Sequence, residues 1–201
     1  MKRFISLLII FLTFSVFVFA QEEDDDIYIG QDDEYIESDI YIYDSNGAGD
    51  QFLKISLGAV FPLNFKGQLG VGGKASIGYF KFLSENLAVG GELAATYSVS
   101  IGEKVLVMIP MTFGVMYQPY VGRFEFPLYA EIGMANQTWQ NIEIFPTFVT
   151  KLSAGVYYRI TDSISAGLST DFMWVPEWFK DKSKNFNGLF QTAEIGLRYH
   201  F

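Results

Sequence analysis

From Phe52 to the end of the chain, apolar and polar residues alternate with a period of two, in runs of roughly ten residues. A period of two puts successive side chains on opposite faces of a β-strand. In the first run, for example, Leu53 and Ile55 alternate with Lys54 and Ser56. The pattern therefore predicts eight strands, whose apolar positions span residues 53–61, 69–79, 87–99, 105–117, 124–134, 152–160, 164–174 and 193–201.

The polar faces of these strands are rich in Gly, Ser and Ala, whereas a soluble barrel would cover its outside with Lys, Glu, Thr and Gln. Small and polar residues suit a crowded interior, which leaves the apolar face for lipid. Short connections (83–86, 118–122, 161–163) alternate with longer ones (62–68, 136–147, 175–189), and only the short connection 101–103 departs from this trend. Aromatic residues gather at strand ends. These features predict an all-β fold, an eight-stranded antiparallel transmembrane β-barrel of the outer-membrane type, with both termini in the periplasm.

The residues before the barrel divide into two segments. Residues 1–20 have a basic start, an apolar stretch and small residues at the end, which is typical of a cleaved secretory signal peptide. Residues 21–51 hold twelve acidic and no basic residues, whereas residues 51–201 carry twelve basic and eleven acidic groups. We therefore expect a disordered acidic segment in the periplasm before a barrel domain over residues 52–201. The alternative is that its short apolar strips, residues 27–29 and 40–43, bind a basic partner or cations.

Composition excludes several classes of protein. The 201 residues contain no Cys and one His, which excludes disulfides and thiolate metal sites, and no motif indicates a cofactor or a metal. A net charge of −9 argues against nucleic-acid binding, which needs a basic surface. The expected location is the outer membrane of the cell envelope.

The last strand, residues 194–201, has Gly196, Tyr199 and Phe201 at the spacing that resembles the C-terminal assembly signal of bacterial outer-membrane barrels. The body of the chain resembles the small OmpA, OmpX and opacity-type barrels. The resemblance implies insertion by the barrel assembly machinery. We also expect outer-membrane lipid around the barrel and a monomeric state.

Alternation directs five basic and five acidic residues into the lumen. An eight-stranded barrel has an interior just wide enough for side chains to fill, and buried charges need partners. We expect an internal ion-pair network, with Lys151 diagonal to Asp171; the alternative is an ion or proton path. The ten residues are Lys54, Lys74, Glu92, Glu125, Glu131, Lys151, Arg159, Asp171, Glu194 and Arg198.

The fourth strand directs an apolar stripe inward, which includes Leu106, Met108 and Met116. The stripe either fills the core or lines a route for small hydrophobic solutes, as in OmpW-like barrels.

The fourth strand also contains Pro110. If the turn after this strand is centred between residues 118 and 119, Pro110 lies opposite Pro127 on the next strand. Proline lacks the N–H that donates a ladder hydrogen bond, so this pair predicts a bulge or a weak seam.

Catalysis finds little support in the sequence. The outer-membrane enzymes that modify lipids use a His with Ser, Asp or Glu, and His200 lies one residue from the end with no evident Ser partner. We expect no enzymatic activity, and a structural or surface-interaction role. A narrow transporter and, less favoured, a lipid-modifying enzyme are the competing functions.

The connection over residues 175–189 is the candidate surface-binding loop. Its aromatic and basic residues are suited to an anionic lipid, a glycan or another extracellular ligand. These residues, together with the preceding rim residue, are Trp174, Trp178, Phe179, Lys180, Lys182 and Lys184.

Overall fold

The computed structural model describes residues 46–65, 68–100, 102, 104–139, 142–177 and 186–201. The predicted signal peptide, and the predicted acidic segment up to residue 45, lie outside the described residues. Within these ranges, no helix is long and apolar enough to span a bilayer.

Ten strands occur in the described part of the chain, and eight of them are long. The long strands are β1 (Gln51–Asn64), β2 (Gly72–Phe82), β3 (Leu87–Val99), β4 (Val105–Tyr117), β7 (Leu128–Trp139), β8 (Ile142–Thr161), β9 (Ile164–Glu177) and β10 (Phe186–His200). Two short strands, β5 (Tyr120–Val121) and β6 (Phe124–Glu125), form a small ribbon between β4 and β7.

The long strands form one closed antiparallel sheet. Each pairs with its neighbours in chain order, and β10 pairs with β1 through partners such as Leu57 and Ile195. Closure leaves these strands without a free edge over the paired residues. The predicted all-β barrel of eight antiparallel strands is confirmed.

The two ends of the barrel differ. At one end, the turn end, are the connections 83–86, 118–127 and 162–163 together with the C-terminus; at the other, the loop end, β1 and β9 lead into the longer connections. Outward-facing rings surround the turn end, with 42 to 57 % of their surface exposed: Tyr79, Tyr117, Phe124, Tyr158, Tyr199 and Phe201.

The outside of the wall is apolar and the inside is polar. Phe113, Leu168 and Ile195 expose 66, 64 and 63 % of their surface, whereas Lys54 and Arg198 are buried inside at 2 and 0 %. This distribution is the reverse of that in a soluble barrel, and it suits a wall that faces hydrocarbon.

Three details differ from the sequence prediction. The predicted fifth strand is divided into β6 and β7, because Pro127 has no N–H to donate to a ladder. Just before it, Phe126 N donates to Pro119 O at 3.0 Å, within the connection that leads from β4 to β7. The expected long connection 136–147 is largely strand, since its β-prone residues continue the β7–β8 ladder to Trp139 and Ile142. β9 runs to Glu177, and the last strand begins at Phe186 rather than near residue 193, so the expected connection 175–189 is reduced to residues 178–185.

The predicted opposition of Pro110 and Pro127 is wrong. Pro110 lies opposite Ala135, because the β4–β7 ladder starts with Tyr117 paired to Leu128 and leaves a longer turn. On the other side of β4, pairing with β3 passes from Met111 to Met108 without pairs at the proline. The weak seam is therefore beside Pro110, on the β3 side.

We expect Ile195→Lys to lower the free energy of unfolding by about 2–4 kcal/mol in a bilayer, because a lysine near the middle of a lipid-facing strand loses its hydration. Urea titration of the protein folded in lipid vesicles measures the change. Ser163→Lys, in the exposed turn between β8 and β9, is the control and should be near neutral. Equal stability of the two variants would contradict a lipid-facing wall.

Candidate functional site

The ten charged residues assigned to the lumen all lie inside the barrel, and none exposes more than 6 % of its surface. Each has an oppositely charged partner within 3.1 Å. They form two groups along the barrel axis. The central cluster consists of Lys54, Lys74, Glu92, Glu131, Lys151, Asp171 and Glu194, and the mouth cluster, at the turn end, consists of Glu125, Arg159 and Arg198.

Glu92 is the hub of the central cluster. Its carboxylate oxygens lie 2.7 Å from Lys54 Nζ, 2.8 Å from Lys151 Nζ and 3.1 Å from Lys74 Nζ. The three lysines come from β1, β8 and β2, whereas Glu92 is on β3. One side chain thus links four strands across the lumen.

The remaining central carboxylates complete the cluster. Lys74 also pairs with Asp171, and its Nζ lies 2.7 Å from Glu194 Oε1. Lys151 Nζ lies 2.7 Å from Glu131, its direct partner on the adjacent strand. The predicted diagonal placement of Lys151 and Asp171 does occur, since Asp171 is opposite Ser153, but these two residues bind other partners.

Hydroxyl groups supply further hydrogen bonds to the central carboxylates. Ser56 Oγ donates to Glu194 Oε2 at 2.5 Å, and Thr192 Oγ1 donates to Glu194 Oε1 at 2.8 Å. Thr112 Oγ1 donates to Glu131 Oε1 at 3.1 Å. A buried ion pair offsets its desolvation only when such additional bonds are present, so the hydroxyl groups on the inner faces are part of the network.

The mouth cluster places two guanidinium groups on one carboxylate. Arg159 Nη1 lies 2.8 Å from Glu125 Oε1, and Arg198 Nη1 lies 3.1 Å from Glu125 Oε2. By formal charge this cluster has one excess positive charge, whereas the central cluster, with three lysines and four carboxylates, has one excess negative charge. The five basic and five acidic groups balance only when both clusters are taken together.

The chain just before β1 is tied to the mouth cluster. Asn46 is buried, its Oδ1 accepts from Arg159 Nη2 at 3.0 Å, and its Nδ2 donates to the Tyr120 hydroxyl at 2.6 Å. Gln118 Nε2 donates to the same hydroxyl at 2.9 Å. Burial raises the pKa of Tyr120, which keeps the phenol neutral. Period-two alternation could not identify Asn46, because it lies outside the strands.

Gly196 makes room for an aromatic ring inside the lumen. A Cβ at this position would lie 2.6 Å from the Tyr157 hydroxyl, and one at Gly167 would lie 2.8 Å from Tyr157 Cγ. Arg198 Cζ lies 3.6 Å from the centroid of the Tyr157 ring, which is a cation–π contact. Tyr199 and Phe201, the other residues of the assumed assembly signal, stack on the outside with centroids 6.0 Å apart.

His200 does have a serine partner, contrary to the sequence expectation. Its Nε2 lies 2.6 Å from Ser165 Oγ, because the β9–β10 register sets Ser165 opposite Arg198, a contact that sequence spacing does not reveal. Ser165 exposes 0 % of its surface and His200 exposes 6 %, so both residues are buried. Arg159 Nη1 lies 2.8 Å from His200 Nδ1 and 2.9 Å from His200 Nε2.

Apolar side chains pack inside the lumen on both sides of the central cluster, and at the turn end they contact the mouth cluster, since Arg198 Cζ lies 4.9 Å from the centroid of the Phe52 ring. Toward the turn end, the turn-end cluster consists of Phe52, Phe80, Phe82, Ala88, Met116 and Tyr129. Toward the loop end, the loop-end cluster consists of Val60, Leu106, Met108, Ala135, Val149, Met173, Val175 and Phe190. A void of about 10 Å³ remains between the central and loop-end clusters, which is barely the space of one water molecule.

The inward stripe of the fourth strand is therefore not a continuous route. Leu106 and Met108 belong to the loop-end cluster, whereas Met116 belongs to the turn-end cluster. Between them, Thr112 faces the central cluster and bonds to Glu131. A hydrophobic solute would have to cross this charged layer.

The candidate surface loop is described only in part. Trp174 lies on the outside of β9 with 37 % of its surface exposed, and its ring meets Phe148 edge-on at 6.4 Å. The predicted residues Trp178, Phe179, Lys180, Lys182 and Lys184 lie outside the described residues. In the described ranges, no group of three or more His, Asp or Glu side chains is arranged to hold a metal ion.

The chain matches a protein-family model and a known relative by sequence. A protein-family model matches residues 30–199. An uncharacterized protein of Treponema pallidum (strain Nichols) is 26 % identical over 180 residues, which cover 81 % of this chain and 82 % of that protein.

Two solved structures share the fold. Neisserial surface protein A (NspA) matches with a TM-score of 0.56 and 12 % identity, over 76 % of this chain and 97 % of that one. OprG, an outer membrane protein from Pseudomonas aeruginosa, matches with a TM-score of 0.55 and 12 % identity, over 78 % and 98 %. The fold is therefore that of small outer-membrane barrels, as the sequence predicts.

We expect Lys74→Met to lower the free energy of unfolding by about 3–5 kcal/mol, because it leaves Asp171 and Glu194 without their common cation. Urea titration in vesicles, followed by electrophoretic mobility, measures the loss. Lys81→Met is the matched control, since Lys81 is on the same strand but exposed. A loss no larger than that of the control would contradict a stabilising network.

Proposed function

We propose that this chain, which belongs to the family whose model matches residues 30–199, is a non-conducting outer-membrane protein with a structural or surface-interaction role. Two observations support the proposal: the barrel has the fold of outer-membrane proteins, and its lumen is filled. The apolar outer wall supports the location, since it would be exposed to water anywhere but in a bilayer. Export would use residues 1–20 as a signal peptide.

The single observation that carries the proposal is the filling of the lumen by buried side chains in all four clusters. The loop-end cluster is apolar, the central cluster is bound by ion pairs of 3.1 Å or less, and the turn-end rings pack with Arg198 of the mouth cluster. An ion on its way through would have to leave its hydration shell at the loop-end cluster, which costs several kcal/mol. This barrier supports a closed lumen over a narrow transporter.

A catalytic role has no accessible centre in the described residues. Ser165 and His200 are in contact, but Ser165 has 0 % exposure and Arg159 lies against the imidazole. A substrate would have to displace the mouth cluster to reach the hydroxyl. We therefore assign Ser165 and His200 a structural role.

For the surface interaction, we propose the connection between β9 and β10, residues 178–185 of the predicted loop 175–189, as the contact region. Its support is the sequence, which combines Trp178 and Phe179 with Lys180, Lys182 and Lys184. Such side chains pair with anionic groups while the rings lie at the headgroup level. The connection begins after Glu177, three residues beyond Trp174 on β9.

The closed lumen can be tested by water access, because the chain has no native Cys. Ser76→Cys places a thiol in the lumen beside Ser56, where the two hydroxyl oxygens lie 2.6 Å apart. A charged thiosulfonate reagent should leave this thiol unmodified while it fully labels Ser84→Cys, in the exposed turn 83–86.

Urea-unfolded Ser76→Cys, which should label rapidly, confirms that the thiol is competent. Comparable rates for the two folded variants would show that water reaches the centre of the lumen. That result would replace the closed barrel with a transporter.

A further inference from the structure

The charges of the central cluster do not balance. Its four carboxyl groups face only three ammonium groups, and none of the seven residues exposes more than 6 % of its surface. A buried charge without a partner of opposite sign is strongly unfavourable, because the interior does not hydrate it. The cluster therefore needs either one further positive charge close by or one carboxyl group that is not ionised.

The surroundings of the central cluster do not supply a fourth positive charge. Among the described residues, the other basic side chains assigned to the lumen are the arginines of the mouth cluster. Arg198 lies four residues beyond Glu194 on β10, which is about 13 Å along a strand, and its guanidinium binds the Glu125 carboxylate. The void of about 10 Å³ beside the cluster is lined by Lys74 and Lys151, whose charges would repel a bound cation.

Two carboxyl groups of the cluster lie side by side. Asp171 and Glu194 both pair with Lys74, and their side chains are within hydrogen-bonding reach of each other. Ionised carboxylates have only acceptor oxygens, so two of them repel each other unless one carries a proton. Within the described residues no N–H or hydroxyl group donates to Asp171 Oδ1, although Asp171 exposes only 1 % of its surface. Asp171 thus retains an acceptor oxygen for a proton on a neighbouring group.

We propose that the central cluster is a proton-binding site, in which Asp171 and Glu194 together hold one proton at neutral pH. The proton leaves three negative groups to match the three lysines, so the cluster is neutral without a fourth cation. Glu194 keeps its hydrogen bonds from Ser56 and Thr192. The other charged and titratable groups around the pair, on the strands that enclose it, are Lys54, Lys74, Glu92, Glu131, Lys151, Tyr129 and Arg198.

Infrared spectroscopy detects this proton directly, because a protonated carboxyl group has a carbonyl band that an ionised carboxylate lacks. The protein would be refolded at neutral pH in micelles of an alkyl glycoside, a detergent without a carbonyl group, and its folding verified by heat-dependent gel mobility. The wild-type spectrum should contain the band of one carboxylic acid per chain.

Two substitutions identify the groups that hold the proton. Glu194→Gln and Asp171→Asn each replace one carboxyl group of the pair by an amide of nearly the same shape. Three carboxylates then match three lysines, so the acid band should be lost in both variants. The matched control is Glu85→Gln, which removes an exposed carboxyl group in the turn 83–86 and should leave the band unchanged.

The wild-type measurement decides the question even if a variant does not fold. A folded wild-type barrel without the acid band would overturn the proposal, and a band that persists in both Glu194→Gln and Asp171→Asn would do so as well. The inference rests on the closed lumen proposed above, which the labelling of Ser76→Cys tests separately. If that thiol stays unlabelled while the acid band is absent, only the proton site is wrong and the closed lumen stands.

Discussion

The contact of one carboxylate with three ammonium groups is the interaction on which the rest of the barrel interior depends. Glu92 binds Lys54, Lys74 and Lys151, and the alternation that makes the outer wall apolar forces all four side chains into the same narrow space. A lumen this narrow has no room to hydrate them. The charges must therefore neutralise one another, which fixes where the remaining carboxylates and hydroxyl groups lie.

The layered lumen follows from that constraint. Apolar side chains exclude water on both sides of the charged layer, and exclusion of water strengthens each ion pair inside. At the turn end, Glu125 binds both arginines, and Tyr157 covers Arg198. The same arrangement that removes a water column leaves the two ends of the barrel, and the loops beyond them, as the surfaces on which the protein can act.

The fold can be predicted from sequence because alternate residues of a strand face opposite sides of the barrel wall. The same alternation identifies the residues that face the lumen, but it does not identify their partners there. Lys54 on β1 meets Glu92 on β3, across an intervening strand, and the Ser165–His200 contact depends on the register of a hairpin. Asn46 carries no periodic signal, since it lies outside the strands. The predicted pairing of Pro110 with Pro127 is wrong because the connection between β4 and β7 contains the β5–β6 ribbon, which shifts the register.

Electrical conductance tests the account most directly. Residues 21–201, refolded and verified as a barrel by heat-dependent gel mobility, would be inserted into planar bilayers and recorded at the single-channel level. The account predicts insertion without discrete current steps, because the lumen charges are paired and the apolar loop-end cluster excludes ions. Reproducible current steps from a verified barrel would contradict it, and would show that the ten lumen charges line a path rather than close one.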